Sequence, residues 1–292
     1  MVQIIHSISS VSASYDALFC DLWGCLHNGV SYFSEAIEAL QRFRAGGGAV
    51  ILLTNAPRPN SVVRKGLDRL GVPSDAYDAI VSSGDAAQVA MLGGAIGQNV
   101  WHLGPDKDLG LFNDLPEDVG GASKIERVDL EVADGIICTG LFDEFNETLD
   151  EYRERLEAAR ARGLTMLCAN PDLVVVFGDR ELPCAGALAA LYEEIGGEVR
   201  YFGKPHAPIY ELARRRLAQI SGDENPRILA IGDGVNTDVA GANLAGIDIL
   251  FVTSGLAAGQ FGPHVDAPSP ALLKAWLEKH KQKVDFAIGR LC

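Results

Sequence analysis

Apolar, strand-like runs alternate with helical stretches along most of this chain. The run Ala17–Asp21 is followed by a helix that Ser34 can cap, and then by the run Ala49–Leu53. The same alternation returns later, where Ile228–Ile231 precedes a helical stretch over Thr237–Ala245. Such alternation predicts a mainly parallel sheet, because parallel neighbours are joined by crossover helices. We therefore predict an α/β fold.

Length and composition set the broad class of the protein. The 292 residues are enough for two domains, and a hydrophobic fraction of 48% is that of an ordinary globular protein. No run approaches the roughly 18 apolar residues that a membrane span needs, and the first residues lack the pattern of a secretory signal. The formal net charge of -14 argues against nucleic acid as a partner. We expect no membrane partner either, and a monomer or homodimer.

Cysteine usage points to a reducing compartment. The six cysteines form no Cys-x-x-Cys pair, so the spacing does not predict a zinc site. Several of them sit in apolar runs, where thiols usually act as small core residues. We therefore expect a cytoplasmic protein without disulfides.

Four polar clusters each follow an apolar run. They are Asp21, the pair Thr54-Asn55, the triplet Gly203-Lys204-Pro205 and the segment from Gly232 to Asp238. If the four preceding strands are parallel neighbours, their carboxyl ends meet at one sheet edge, where α/β proteins bind ligands. We therefore predict that the four clusters converge on one site.

The residue types in these clusters are those of a magnesium and phosphate site. The carboxylates of Asp21 and Asp233 are hard oxygen ligands of the kind that Mg²⁺ takes. Lys204 and the Thr54 hydroxyl can hold phosphoryl oxygens, and Asp21 can act as a covalent nucleophile. Two other interpretations stay open. The late Gly-Asp-Gly segment half-matches a dinucleotide fingerprint, and a receiver-like domain also uses a strand-end Asp, Mg²⁺ and a Lys.

The order of these motifs resembles the haloacid dehalogenase superfamily, and its class IIA (NagD-like) branch in particular. The resemblance runs from about Tyr15 to Gly255 and includes two segments similar to that branch's cap, Ala169–Asp172 and Cys184–Leu188. It implies a Rossmann-like doubly wound parallel-sheet core over residues 1–82 and 201–292, with an α/β cap domain inserted over residues 83–200. It also implies a Mg²⁺-dependent phosphatase that acts on a small phosphorylated metabolite through an aspartyl phosphate.

The resemblance assigns a role to each matching residue. Catalysis falls to Asp21 and Lys204, substrate binding to Thr54, Asn55, Asn170 and Asp172, and metal binding to Asp21, Asp233 and the Trp23 carbonyl. Asn236 and Asp238 are expected to contact the metal ligands without binding the metal themselves.

Trp23 departs from the family pattern. The family's phosphatases have a second Asp at this position, which protonates the leaving oxygen and then activates water. An indole N–H can only donate a hydrogen bond and cannot serve as a base. Three hypotheses follow: another proton donor such as His27 serves a working phosphatase, the chemistry needs no acid, or the protein binds phosphate in a regulatory role without turnover.

Overall fold

The computed structural model describes residues 2–114, 124–177 and 180–292. The chain divides into two compact units. The first comprises Met1–Thr54, Arg64–Val81 and Lys204–Cys292, and the second comprises Asn55–Val63 and Ser82–Gly203. Residues 55–63, which the sequence assigns to the same domain as Thr54, group with the second unit.

The strands are short and mostly buried. In chain order they are β1 Gln3–Ile4, β2 Ala17–Cys20, β3 Ala49–Thr54, β4 Ala79–Ser82, β5 Asn99–Leu103, β6 Glu126–Arg127, β7 Gly135–Cys138, β8 Thr165–Cys168, β9 Val174–Phe177, β10 Arg180–Pro183, β11 Glu198–Tyr201, β12 Ile228–Gly232, β13 Asp248–Val252 and β14 Phe286–Ile288.

The helices connect these strands in both units. They are α1 Ser34–Ala45, α2 Asn60–Leu70, α3 Ser83–Leu92, α4 Gly110–Asn113, α5 Arg153–Ala161, α6 Ala185–Glu194, α7 Ala207–Ser221, α8 Ala240–Ala245 and α9 Pro270–His280. Ser34 is the first residue of α1 rather than its cap, because Phe33 holds the capping position and no side chain accepts the free N–H groups there. None of the described helices combines the length and apolar character that crossing a bilayer requires.

The first unit is built on a seven-stranded sheet. Its strand order is β1-β14-β13-β12-β2-β3-β4. Strand β2 lies in the centre, with Cys20 opposite Ile231 of β12 and opposite Leu52 of β3, both in parallel register. All residues of β2, β3 and β12 are buried, as expected for a parallel sheet covered on both faces. The predicted α/β parallel-sheet fold is confirmed.

The second unit has its own parallel sheet. Its strand order is β11-β8-β7-β5-β6, and β9 and β10 form a separate antiparallel hairpin. The core of this unit includes the fully buried rings of Tyr152 and Tyr192. Strand β11, which precedes Lys204, pairs with β8 in this sheet. The expectation that all four polar clusters follow strands of one sheet is therefore wrong for the third cluster.

Candidate active site

Three polar clusters follow adjacent strands of the seven-stranded sheet. Asp21 comes directly after β2 and Asp233 directly after β12, while Thr54 is the last residue of β3. The parallel register of the three strands brings their carboxyl ends to one edge. Asp21, Thr54 and Asp233 are all buried there.

Lys204 joins this edge although its preceding strand does not. Its Nζ donates to Asp21 Oδ1 at 2.5 Å, to Asp238 Oδ1 at 2.6 Å and to the Leu53 carbonyl at 3.3 Å. The chain enters the first unit at Lys204, just ahead of α7. This ammonium group therefore links strand β3 to the residues that follow β2 and β12.

The charges around Lys204 are not balanced. Burial opposes its ammonium form, but the carboxylates of Asp21 and Asp238 outweigh that effect and raise the pKa of Lys204. Burial raises the pKa of Asp21, Lys204 opposes the rise, and the negative charges of Asp238 and Asp233 add to it. Three buried carboxyl groups thus share one buried cation, which is an arrangement suited to a second, divalent cation.

Asp233 occupies a space that two glycines leave open. A Cβ on Gly24 would lie 2.2 Å from Asp233 Oδ2, and a Cβ on Gly255 would lie 1.9 Å from the same atom. The Leu256 amide donates to Oδ2 at 2.8 Å. Burial, followed by the charge of Asp238, raises the pKa of Asp233 to about 7. Only residues without a side chain at positions 24 and 255 allow this carboxylate to take its place beside Asp21.

The segment after Asp233 is a π-helical turn. It spans Val235–Val239 and continues into α8, where the sequence predicts one regular helix from Thr237. Within it, Asp238 Oδ2 accepts from the Gly234 amide at 3.0 Å, which orients its other oxygen toward Lys204. Asn236 is exposed on the turn, and its side chain makes no hydrogen bond to any described residue.

The residues present fit a divalent metal ion. Asp21 and Asp233 would hold it, and the Trp23 carbonyl is the third ligand that the sequence suggests. Cys25 also lies at this site, although the apolar pattern predicts a core residue there. Its Sγ lies within 4.8 Å of carboxylate oxygens of both Asp21 and Asp233. Motif spacing gives no signal for this thiol, because its two neighbours are carboxylates rather than further cysteines.

Trp23 packs against a turn rather than standing alone. A Cβ on Gly29 would lie 2.4 Å from the indole ring, and Gly29 has a φ of +86°. The ring of His27 meets the indole edge-on, with centroids 5.2 Å apart. The indole nevertheless stays 42% exposed. Gly29 therefore makes room for an aromatic side chain two residues after Asp21.

His27 is a neutral, buried side chain. Its Nδ1 accepts from the Gly29 amide at 3.1 Å, so the proton of the neutral ring is on Nε2. Burial lowers its pKa to about 4. An imidazolium at neutral pH is therefore not available from His27, which argues against the hypothesis that it replaces the missing acid.

The four predicted substrate ligands separate into two groups. Thr54 belongs to the first unit, whereas Asn55, Asn170 and Asp172 belong to the second. Within the second unit, Asn55 Nδ2 donates to Asp172 Oδ1 at 2.8 Å, and the Asp172 amide donates to Asn170 Oδ1 at 3.0 Å. No local sequence pattern predicts the hydrogen bond between Asn55 and Asp172, because these two residues lie 117 positions apart in the sequence.

Comparison with family models identifies two matching regions. Residues 18–115 match the model described as haloacid dehalogenase-like hydrolase. Residues 201–269 match a second model for haloacid dehalogenase-like hydrolases. The two regions include Asp21, Thr54, Lys204 and Asp233.

Individual relatives agree with these models. A D-glycerol 3-phosphate phosphatase from Mycobacterium tuberculosis is 27% identical over 250 residues, which cover 85% of this chain and 66% of that protein. The chain thus spans slightly less than two thirds of that relative's length. A crystal structure of a haloacid dehalogenase-like hydrolase from Brucella suis is 37% identical, with a TM-score of 0.82 and coverage of 99% of this chain and 100% of that one.

A second similar structure contains a magnesium ion. It is a glycerol phosphate phosphatase from Mycobacterium tuberculosis in complex with magnesium, 25% identical, with a TM-score of 0.65. The alignment covers 84% of this chain and 70% of that one.

Proposed function

Because the chain belongs to the haloacid dehalogenase-like hydrolases, we propose that it is a Mg²⁺-dependent phosphatase that acts on a small phosphorylated metabolite. One observation carries this proposal: the buried Lys204 ammonium contacts both Asp21 and Asp238, with the Asp233 carboxylate close to Asp21. Phosphoryl transfer requires a nucleophile, a cation and further carboxylates, and this site has all of them at one edge of the sheet.

Asp21 is the proposed nucleophile. One of its carboxylate oxygens attacks phosphorus, the bond from phosphorus to the leaving oxygen breaks, and the phosphoryl group remains on Asp21 as an acyl phosphate. Water then hydrolyses that acyl phosphate and regenerates the carboxylate. Lys204 orients Asp21 through the 2.5 Å contact and offsets negative charge during both steps. Bound between Asp21 and Asp233, Mg²⁺ would neutralise the charge of the phosphoryl oxygens.

This site is unusual in the source of the proton for the leaving oxygen. Trp23 cannot supply it, and His27 is neutral. General acid help is worth roughly 10²–10⁴-fold in rate. Its loss matters most for alkyl phosphates, whose leaving oxygens are strongly basic, and least for phenol-like leaving groups and acyl phosphates. We therefore propose that the enzyme prefers substrates with good leaving groups.

The second unit is the proposed cap, and the first the proposed core. Asn55, Asn170 and Asp172 are proposed substrate ligands of the cap, because their hydrogen bonds join Asn55 to the cap-like segment Ala169–Asp172. Relatives named as glycerol phosphate phosphatases support small phosphate monoesters as the substrate class. Within that class we expect alkyl phosphates to react more slowly than aryl phosphates, because their leaving oxygens are more basic. A cytoplasmic location is part of the same proposal and accords with six cysteines that are all free thiols.

A second candidate function is a phosphate-binding regulatory protein without turnover. Trp23 in place of an acid and the neutral His27 favour it, since neither side chain can act as a general acid toward the leaving oxygen. Under this function the Lys204 site binds phosphate esters but does not cleave them.

A panel of phosphorylated metabolites with Mg²⁺ distinguishes the two functions. The phosphatase hypothesis predicts phosphate release from at least one metabolite, with rates across a series of aryl and alkyl phosphates that fall as the leaving-group pKa rises. Asp21→Asn should abolish release and keep the circular dichroism spectrum of the wild type. Binding of a metabolite, measured by calorimetry, with no phosphate release would favour the regulatory function. Near wild-type activity in Asp21→Asn would remove Asp21 from the nucleophile role.

A further inference from the structure

Cys25 is a buried thiol that faces the carboxylate pair of the site. Its side chain is 1% exposed, and a ligand atom from each of Asp21, Cys25 and Asp233 lies within 4.8 Å of the other two. Over residues 2–114, 124–177 and 180–292, the Cys25 thiol makes no hydrogen bond, although Cys20 beside it donates to the Asp21 carbonyl. Gly24 has a φ of +75°, which lets the chain turn and bring the next residue alongside Asp233.

The chemistry of these three ligand atoms differs from that of an ordinary magnesium site. Mg²⁺ is bound by oxygen and gains little from sulfur. Zinc-class cations accept carboxylate oxygen and prefer thiolate, with bonds of about 2.3 Å to sulfur and about 2.0–2.2 Å to oxygen. Around one tetrahedral ion with these bond lengths, two neighbouring donors stand about 3.4–3.8 Å apart. Side-chain rotations that move the ligand atoms by up to about 1 Å would therefore bring all three onto a single ion.

We propose that Asp21, Cys25 and Asp233 form an inhibitory site for zinc-class, thiophilic divalent cations, in which Cys25 is the ligand that selects them over Mg²⁺. On binding, the sulfur–metal bond forms and the thiol proton passes to solvent. The same ion occupies Asp21, so its carboxylate cannot attack phosphorus. The cation site stands on the geometry alone, and only its inhibitory effect rests on the proposed phosphatase function.

Cadmium titration of the metal-free protein tests the site directly. Cd²⁺ bound to a thiolate gives an ultraviolet sulfur-to-metal charge-transfer band, which needs no substrate and no turnover. We expect a saturable band in the wild type and in the matched control Cys292→Ser, which removes the one cysteine that is not buried. Cys25→Ser and Cys25→Ala should each lose the band, with circular dichroism verifying that at least one of them folds. A band of wild-type intensity in either folded Cys25 variant would overturn the proposal.

Inhibition provides the second measurement. With Mg²⁺ held constant and each rate normalised to that variant's uninhibited rate, we expect Cys25→Ser to need about tenfold more Zn²⁺ for half-inhibition than the wild type. An unchanged half-inhibitory concentration would refute selection by Cys25. A Cys25-dependent cadmium band in a protein that hydrolyses no phosphate ester would refute the proposed phosphatase and support the cation site.

Discussion

Removing the Lys204 ammonium should cost far more stability than removing its partner carboxylate. Lys204 lies 2.5 Å from Asp21 and 2.6 Å from Asp238, and all three side chains are buried. Lys204→Met keeps most of the side-chain volume but leaves two buried carboxylates without their cation. Breaking a buried ion pair from one side costs about 3–5 kcal/mol, because the remaining charge stays desolvated. We expect a loss of that size in the free energy of unfolding at pH 7 without metal.

Asp21→Asn is the matched control for this prediction. It retains the pair between Lys204 and Asp238, and it removes one of three crowded carboxyl groups, so we expect a change within about 1 kcal/mol or a slight gain. Both variants should lose phosphatase activity. The two variants should therefore lose activity alike, whereas only Lys204→Met should lose stability.

Urea unfolding followed by circular dichroism, with a chelator present, measures both effects. Repeating the titration with Mg²⁺ should raise the stability of Lys204→Met, because binding to the folded state alone stabilises it by mass action. If Lys204→Met unfolds within about 1 kcal/mol of the wild type, the ammonium does not balance the two carboxylates. A larger loss in Asp21→Asn than in Lys204→Met would refute the charge argument altogether.

Three further predictions concern other parts of the two units. Gly29→Ala should lower the melting temperature more than Gly47→Ala, because both have positive φ but only Gly29 has an aromatic ring where the new methyl group would lie; equal melting temperatures would contradict this. Asp172→Ala should raise KM about 2–10-fold through loss of the hydrogen bond that orients Asn55, with unchanged kinetics counting against that role. Burial lowers the pKa of His27 from 6.5 to about 4, so the unfolded state binds a proton at a higher pH than the folded state does. Stability should therefore fall as the pH drops from 6.5 toward 4. The unfolding free energy of His27→Gln, measured over this pH range, should change less steeply than that of the wild type.

Much of the fold follows from local sequence patterns. The apolar runs Ala49–Leu53 and Ile228–Ile231 each end within one residue of the strands β3 and β12, because an apolar run between turn residues is a local signal. Helix α3, Ser83–Leu92, was not predicted, since most of its residues are buried and it lacks the polar face that reveals a helical period. Strand β1 has two residues and pairs with β14 from the far end of the chain, so no local pattern announces it.

The site was predictable to the extent that strand ends define it. Asp21 and Asp233 were placed beside each other because parallel neighbours expose their carboxyl ends at one edge. Lys204 reaches them by a different path, since β11 pairs within the second unit. The proximity of the Cys25 thiol to Asp233 is not predictable from a motif, because it depends on the space that Gly24 and Gly255 leave for the Asp233 carboxylate.

The three bonds of the Lys204 ammonium also bear on how the protein reaches its native state. Its partners are 183, 151 and 34 positions away in the sequence. During synthesis from the N-terminus, the β2 and β3 segments emerge long before the lysine that joins them. Contacts of such separation form late, because the chain entropy lost in closing long loops must first be offset elsewhere. A nascent chain that stops short of Lys204 therefore lacks the cation that joins the ends of β2 and β3, so the candidate site is incomplete until that residue has been synthesised.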